Sequence, residues 1–309
     1  MIRIGSRGSK LALWQANWVK ERLEQRFPGT EVTIQIIKTT GDKFQEAAPP
    51  DSLPKGLFTK EIQDAMLRNE VDVAVHSLKD LPTDLHENLC LAAITKREEA
   101  HDALICRGST KLQELPNGAR IGTSSTRRRS QLLNLRPDLK VEELRGNVDT
   151  RLRKLDDGEY DAILLAAAGL IRLGLKERIS ELLSADLIVP AVGQGALAIE
   201  TRSDDKDTQK FVRVLNHKAT RITCTAERVF LAALGGGCQV PIAAYGEIEA
   251  GKLTLRGCVA SIDGTTVIKR AITGPVEEAE FLGNKLAEKV LAAGADKLIK
   301  ELKGLANAH

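Results

Sequence analysis

The alternation of short apolar strands with amphipathic helices through the first two thirds of the chain is the feature that most constrains its fold. A strand is predicted from Ile2 to Gly5, and apolar residues then recur at helical spacing from Leu11 to Phe27, where Pro28-Gly29 ends the pattern. Val71–Val75 and Asp161–Leu165 are further buried strands. Strands that alternate with helices predict open α/β sheets, in which ligands bind beyond the carboxyl ends of the strands.

The pattern changes after Lys218, where a long helix from Thr220 to Leu234 precedes a run of strands. Ala250-Gly251 and Asp263-Gly264 supply the hairpin turns, and two helices separated near Gly294 close the chain. The predicted strands are Ile242–Ile248, Leu253–Ala260 and Thr266–Ile272. A meander with helices on one side indicates a small α+β domain. We find no strong internal repeat in the sequence.

Composition excludes several classes of function. The net charge of +3 is too small for a protein that mainly neutralises phosphates, and 3% aromatic residues are too few for base stacking, so we expect no nucleic-acid partner. The longest apolar stretch, Ala162 to Ile171, is too short to cross a bilayer, and we expect no membrane partner. The cysteines and histidines show no metal-ligand spacing, so we expect no metal.

One cysteine stands apart from the other four. The odd count of five favours free thiols in a reducing compartment, and we expect a cytoplasmic protein. Four cysteines lie among apolar or small residues, where a thiol is usually a small buried hydrophobe. Cys238 instead follows Gly235-Gly236-Gly237, and glycines let a backbone approach a ligand closely. The residues alone leave a turn cysteine and a chemically active one both open.

Arginines gather where predicted strands run into helices. The segments are Ser6–Ser9, Thr123–Arg129 and Arg145–Asn147, the last followed by Arg151. The first turn of a helix favours an anion, and structural helices usually place acidic residues there. Arginine in that turn adds bidentate recognition of carboxylates. Because the chain has no phosphate-binding glycine loop of the Walker type, the sequence predicts a cleft for a polycarboxylate, with a solvated basic face as the alternative.

A second polar segment follows the strand Val71–Val75. His76 to Pro82 would lie at the carboxyl end of that strand, where catalytic groups of α/β proteins are found. By itself Asp80 reads as an ordinary turn residue. In a cleft lined by arginines, however, its carboxylate is the candidate acid or base that also stabilises a positive intermediate.

The proline-containing stretch 39–55 is a long loop of the kind that often forms a lid.

Five ordered motifs resemble the porphobilinogen deaminase family, also called hydroxymethylbilane synthases. The match runs from Arg3 to about Leu302, and the stretch that ends at Cys238 is its most specific part. The motifs are HSLKDLP around Asp80, GTSSTRR from Gly122, RGNVDTRLRKLDDGEYDAILLAAAGLIRLG from Arg145, PAVGQGALAIE from Pro190 and ERVFLAALGGGCQVP from Glu227.

The resemblance implies a transferase that joins four porphobilinogen molecules head to tail, releases ammonia at each step and frees a linear hydroxymethylbilane. Cys238 would hold a dipyrromethane cofactor through a thioether, and Asp80 would protonate the leaving amino group and stabilise the azafulvene-like cation. Cofactor-binding positions would be Ser9, Lys79, Ser125, Arg127, Arg128 and Arg145. Substrate-binding positions would be Arg7, Lys55, Arg145, Arg151, Arg172 and Gln194.

The resemblance also implies three domains, two of them similar to periplasmic binding proteins. Domain 1 would comprise residues 1–95 and 196–215, domain 2 residues 101–189, and the α+β domain 3 residues 218–309. The stretches 96–100 and 190–194 would be hinges, and the enzyme would be a cytoplasmic monomer whose partner is the small molecule porphobilinogen.

The chain departs from the family pattern at two places. Leu53-Pro54 precede Lys55 where two glycines are frequent, and Asp51 stands where a lysine is common. Gly235 replaces a frequent glutamate in the cysteine motif, from which we expect added flexibility and little chemical change. Two alternatives stay open from the sequence: a binding module whose α/β domains close on an anion, and an enzyme of this fold that has lost activity.

Overall fold

The structure, a computed structural model of the chain, describes residues 1–43, 58–108, 110–235 and 240–307. Lys55, Cys238 and most of the predicted loop 39–55 lie outside the described residues. Two compact units are formed, one by Met1–Glu98 with Gly195–Arg221 and the other by Glu99–Gln194 with Ile222–His309. Within the described ranges, no helix is both long and apolar enough to cross a membrane.

The described strands form three sheets. In chain order they are β1 (Ile2–Ser6), β2 (Val32–Ile36), β3 (Val73–Ser77), β4 (Leu89–Ile94), β5 (Asp102–Cys106), β6 (Arg120–Gly122), β7 (Lys140–Glu142), β8 (Ala162–Ala166), β9 (Glu181–Leu183), β10 (Leu197–Arg202), β11 (Ile242–Glu249), β12 (Lys252–Ala260) and β13 (Val267–Pro275). The α-helices are α1 (Lys10–Arg26), α2 (Thr40–Lys43), α3 (Lys60–Leu67), α4 (Thr126–Leu135), α5 (Val148–Asp156), α6 (Ala167–Arg172), α7 (Lys206–Val212), α8 (Lys218–Ala233), α9 (Ala279–Val290) and α10 (Asp296–Asn307).

The first unit is built on a five-stranded sheet of order β2-β1-β3-β10-β4. Strands β2, β1 and β3 run parallel, whereas β10 is antiparallel to both β3 and β4. Helix α1 confirms the helix predicted from periodic apolar residues, and it buries Val19 and Leu23 against the sheet. Trp18 packs against the same cluster, which makes it a core residue. The carboxyl ends of β1 and β3 therefore meet at one edge of the sheet.

The second unit repeats this plan. Its larger sheet has the order β7-β6-β8-β5-β9, again with parallel strands on one side and one antiparallel strand, β5, in the fourth position. The same hydrogen bond occurs in both sheets. In the first, the amide of Arg3 in β1 donates to Asp72 before β3, and in the second, the amide of Arg120 in β6 donates to Asp161 before β8. The structure thus contains a repeat that the sequence does not show, because the shared residues are few and most of the matching is in the backbone.

The remaining strands β11, β12 and β13 form the predicted antiparallel meander. α8 and α9 pack on it through a core that includes Phe230, Leu255 and Leu286. Both predicted hairpin turns are present, and the break between the last helices lies at Gly294, whose φ is 103°. Two α/β sheets of one topology and a small meander with helices confirm the predicted fold class of two α/β domains plus a small C-terminal α+β domain.

Candidate active site

Asp80 lies just beyond the carboxyl end of β3 in the first unit. The strand ends at Ser77 and continues into a short 3₁₀ helix, Leu78–Asp80. Leu78 is buried and its amide donates to the carbonyl of Ala196, while Lys79 and Asp80 are exposed. A buried residue therefore fixes the turn, and the two charged residues after it reach solvent at the edge of the sheet where α/β proteins bind ligands.

Arg7 and Ser9 lie at the same edge, because they follow β1, the parallel neighbour of β3. The Arg7 guanidinium lies 4.1 Å from the centre of the Phe58 ring, a cation–π contact. Ser9 caps α1 by accepting a hydrogen bond from the Ala12 amide. The first turn of α1 contains no acidic residue, so the positive end of its dipole favours an anion from outside the helix.

Buried polar contacts support the carboxyl end of β3, and the sequence analysis did not identify them. The Gln15 side chain donates to the Ser77 hydroxyl over 2.9 Å. On the neighbouring strand β10, the fully buried Glu200 accepts a hydrogen bond from the Gln63 side chain over 2.9 Å. Glu200 also lies 3.2 Å from His76 Nε2. The one available signal was polar residues at apolar positions: Gln15 lies on the buried face of α1, and Glu200 interrupts a buried strand.

In the second unit, Asp102 is the centre of a buried ion cluster. It is the first residue of β5, and because β5 is antiparallel to β8 it lies beside the carboxyl end of β8, opposite Ala166. Arg127 Nη1 is 2.6 Å from Asp102 Oδ2, and Arg128 Nε is 2.9 Å from Oδ1. None of the Asp102 surface is exposed, and both arginines are buried. The sequence analysis did not identify this carboxylate.

Two glutamines extend the Asp102 cluster. Gln194 Nε2 donates to Asp102 Oδ1 over 2.9 Å and to the Ala100 carbonyl over 2.7 Å. Gln131 exchanges two hydrogen bonds with the backbone of Val189, whose carbonyl also accepts from Arg127 over 2.8 Å. The cluster therefore ties helix α4 to the start of β5 and to the segment that leads to Gln194.

The charges of this cluster do not balance. Although burial opposes ionisation, the two arginines hold the pKa of Asp102 far below its usual range. Burial lowers the pKa of Arg128, and burial together with the charge of Arg128 lowers the pKa of Arg151 to about 10. Two guanidinium groups thus share one carboxylate, and no carboxylate of the described residues pairs with the neighbouring Arg151. The surplus positive charge suits an anionic ligand.

The other predicted arginines of this unit have different surroundings. Arg145 forms an ion pair with Glu143 at 2.8 Å near the surface. Arg151 is half-buried and its Nε donates to the carbonyl of Gly146 over 2.7 Å. Arg172 is buried at the end of α6. One point of the sequence interpretation is wrong, because α5 does carry an acidic residue, Asp149, in its first turn.

The predicted site residues therefore fall into groups. Ser125 caps α4 by accepting from the Arg128 amide, so it lies at the start of the helix that carries Arg127 and Arg128. The residues at the carboxyl edge of the first sheet are Arg7, Ser9, Lys79 and Asp80. Those at the corresponding edge of the second sheet are Ser125, Arg127, Arg128, Arg151 and Gln194. Among the described side chains, no three His, Cys, Asp or Glu residues are close enough to share a metal ion.

Comparison with known proteins assigns nearly the whole chain to one family. Residues 2–210 match the family model "Porphobilinogen deaminase, dipyromethane cofactor binding domain", and residues 221–292 match "Porphobilinogen deaminase, C-terminal domain". The porphobilinogen deaminase of Geobacter metallireducens is 53% identical over 301 residues, which cover 97% of this chain and 94% of the relative.

A more distant relative gives the same result. The porphobilinogen deaminase of Chlorobaculum tepidum is 48% identical over 303 residues, covering 97% of each chain. A solved structure, the second substrate binding domain of a putative amino acid ABC transporter from Streptococcus pneumoniae, matches with a TM-score of 0.43 and 12% identity over 76% of this chain and 95% of that one. With two family models and close relatives along its full length, the chain belongs to the porphobilinogen deaminase family.

Proposed function

We propose that this protein is an active porphobilinogen deaminase, with Asp80 as its catalytic carboxylate and Cys238 as the attachment residue of its dipyrromethane cofactor. It condenses four porphobilinogen molecules into linear hydroxymethylbilane, with loss of ammonia at each step, for tetrapyrrole synthesis. The observation that carries this proposal is the surplus of guanidinium groups around Asp102. Each pyrrole of the substrate brings two carboxylates, which is the chemistry that such a surplus binds.

Asp80 has the exposure and the position that the chemistry requires. Its carboxylate reaches solvent at the ligand-binding edge of the first sheet, where substrate can approach it. There it can give a proton to the departing amine and then hold negative charge beside the cation that remains. At the same edge, Arg7 binds a carboxylate of the substrate and Lys79 binds one of the cofactor, which keeps the aminomethyl carbon of the substrate near Asp80.

The described residues fit a dipyrromethane group. When bound, this group supplies the pyrrole carbon to which the first substrate is joined. It carries four carboxylates, and the second unit offers Arg127, Arg128 and Arg151 against a single buried carboxylate. Ser125 and the amino end of α4, which has no acidic residue in its first turn, add donors at the same edge. Arg145 and Arg172 complete the proposed carboxylate-binding set, with Lys55 and Gln194 on the substrate.

We also propose the finer points of organisation. The chain comprises domain 1 (1–95 and 196–215), domain 2 (101–189) and domain 3 (218–309), with hinges at 96–100 and 190–194. The strand content of the three sheets supports this division, since all strands of a given sheet come from one of these domains. We propose a monomer, as the family resemblance implies, and a cytoplasmic location, because the four described cysteines are free thiols.

Intact mass spectrometry tests the proposal. The purified chain is expected to carry the mass of two deaminated porphobilinogen units, and Cys238→Ser is expected to lack it. Cys90→Ser, which removes a half-exposed thiol, is the matched control and is expected to keep the added mass. A folded chain with no added mass and no turnover of porphobilinogen would instead support the binding module. A chain with no added mass that condensed porphobilinogen at full rate would refute the role of Cys238.

A further inference from the structure

The carboxylate of Asp102 uses both of its oxygens on groups that face the proposed ligand site. Oδ2 accepts from Arg127 Nη1 at 2.6 Å, and Oδ1 accepts from Arg128 Nε at 2.9 Å and from Gln194 at 2.9 Å. Each guanidinium also donates to a backbone carbonyl, Arg127 to Val189 and Arg128 to Leu164. With the further contacts of Arg127 Nη2 and Arg128 Nη2 to Oδ1, these bonds fix the orientation of both arginines. They use only part of the five N–H groups of each guanidinium, which leaves the others for a ligand.

The repeated sheet shows that the fold itself does not need a carboxylate at this position. In the second sheet Asp102 lies opposite Ala166, at the end of β8. In the first sheet the corresponding partner of Ser77, at the end of β3, is Leu197, which is 1% exposed. The same backbone position thus accepts a buried leucine. A buried ion pair is weak evidence for stability, since apolar residues often replace one without loss.

The negative charge of Asp102 serves the two arginines and not the stability of the fold. Two guanidinium groups buried side by side repel each other and lose their hydration, so without a counter-charge they would turn toward solvent. One carboxylate holds both in place, yet it leaves one unit of positive charge in the pair uncompensated. A second carboxylate would have cancelled the attraction for an anion. The single aspartate therefore fixes the geometry of the arginines while preserving their affinity for carboxylates.

We propose that Asp102 is a positioning residue, which orients Arg127 and Arg128 so that they bind carboxylates of the dipyrromethane cofactor and of the growing chain. This role rests on the proposed function. Gln194 is part of the same arrangement: it is 1% exposed, and its amide joins Asp102 to the Ala100 carbonyl. Gln194, proposed above as a substrate-binding residue, thus also acts through Asp102.

The test follows loading of the chain produced in cells that make no porphobilinogen. Porphobilinogen is then added at increasing concentration, and the gain of covalent mass is recorded over time. In Asp102→Asn the side-chain amide would face Arg127 Nη1 across the short 2.6 Å contact, so Arg127 is displaced. We expect the half-saturating porphobilinogen concentration to rise about tenfold, the equivalent of about 1.4 kcal/mol. Arginine orientation, not folding, is then what limits loading.

Asp161→Asn is the matched control. Asp161 accepts from the Arg120 amide over 2.7 Å at the opposite end of the same sheet, so its loss weakens the unit without touching the cluster. We expect a lower melting temperature with unchanged concentration dependence of loading. If Asp102→Asn lowers the melting temperature equally and loads like the wild type, Asp102 is merely structural and the inference is wrong.

The same measurements also cover a variant that does not fold and a wild-type chain that does not load. If Asp102→Asn does not fold, Gln194→Met decides, because it removes one hydrogen bond to Asp102 and leaves every charge in place. A rise of a few-fold in the half-saturating concentration supports the inference, and wild-type loading at wild-type concentration overturns it. If the wild-type chain gains no covalent mass at all, the proposed function itself fails.

Discussion

The Asp80 carboxylate lies in solvent, while the backbone turn that carries it is held by a buried residue. Leu78 is buried two residues earlier, and no hydrogen bond or ion pair from the described residues restrains the Asp80 carboxylate. The group is thus free to meet a substrate. We expect Asp80→Asn to lower turnover by about 10²- to 10⁴-fold, the usual contribution of a general acid–base group, with the cofactor still attached.

Asp84→Asn is the control for that measurement. Asp84 is an exposed carboxylate four residues further along the same loop, so its removal changes the local net charge by the same amount. We expect near-normal turnover in Asp84→Asn. Near-normal turnover in Asp80→Asn would refute its assignment as the catalytic carboxylate, and equal losses in both variants would point to local net charge as the cause.

Arg151 permits a second prediction about a single residue. Its pKa is lowered to about 10 by burial and by the neighbouring charge of Arg128, so it remains a cation at neutral pH but lacks a carboxylate partner among the described residues. Lysine at this position could not donate to Gly146 and also bind a carboxylate in bidentate fashion. In Arg151→Lys we expect KM for porphobilinogen to rise about tenfold with little change in melting temperature.

The exposed Arg153, two residues later on the same helix, provides the comparison. Arg153→Lys alters the same helix by the same chemistry but away from the cluster, and steady-state kinetics are expected to match the wild type. If KM is unchanged in Arg151→Lys as well, the unpaired guanidinium does not serve the substrate.

Residues of the site differ in how far the sequence could reveal them. Asp80 and the arginines at helix starts were predicted because their signals are local: a polar turn after an apolar strand, and basic residues where an acid is usual. Asp102 could not be predicted, since its partners are 25 and 92 residues away and its own neighbours form an apolar strand. Only the folded sheet brings these groups together. The site assignments themselves remain predictions until the variants are measured.

Among the elements, those with a strong period were predicted well. Helix α1, the β3 strand and the meander all follow from apolar periodicity, because burial of one face decides each of them. The structural repeat was missed, because the two sheets share backbone contacts more than residue types. Corresponding aspartates at the starts of β3 and β8 are its clearest sequence trace.

The aspartate before β3 yields a prediction for acid stability. Although burial raises the pKa of Asp72, hydrogen bonds from Arg3 and Arg202 outweigh it and lower the pKa from 3.8 to about 2. A carboxyl whose pKa is lowered by folding stabilises the fold above its unfolded pKa, and this contribution is lost as the pH falls from about 4 to about 2. It amounts to about 2 kcal/mol of unfolding free energy at neutral pH.

Urea unfolding of Asp72→Asn at several pH values measures this contribution. We expect the variant to be less stable than the wild type at pH 7, and the difference to shrink as the pH falls below 4. Asp204→Asn, at an exposed carboxylate beyond β10, should leave stability unchanged throughout. A difference for Asp72→Asn that stayed constant down to pH 2 would show that the lost contribution is not ionic.

For the whole molecule, the decisive feature is that the chain leaves the first unit after Glu98 and returns to it at Gly195. β10 then enters the first sheet between β3 and β4, so the strand that completes this sheet follows all five strands of the second unit's α/β sheet in the chain. The family resemblance predicted that β10 belongs to the first sheet. The apolar residues of β10 could not predict this, since an apolar strand carries no information about which sheet it joins.

Gly195 is the residue at which that return is most tightly constrained. Its φ is +89°, and a Cβ atom there would lie 2.4 Å from the carbonyl oxygen of Glu98, whose amide donates to the Gly195 carbonyl. Gly174 has a similar φ of +71° with open space around it, so Gly174→Ala should cost only about 1 kcal/mol of conformational strain. Gly195→Ala adds a backbone clash, and we expect a loss of about 3 kcal/mol or more in urea unfolding. Equal losses would mean that the two crossing segments separate easily, and the first sheet would then not depend on their close approach.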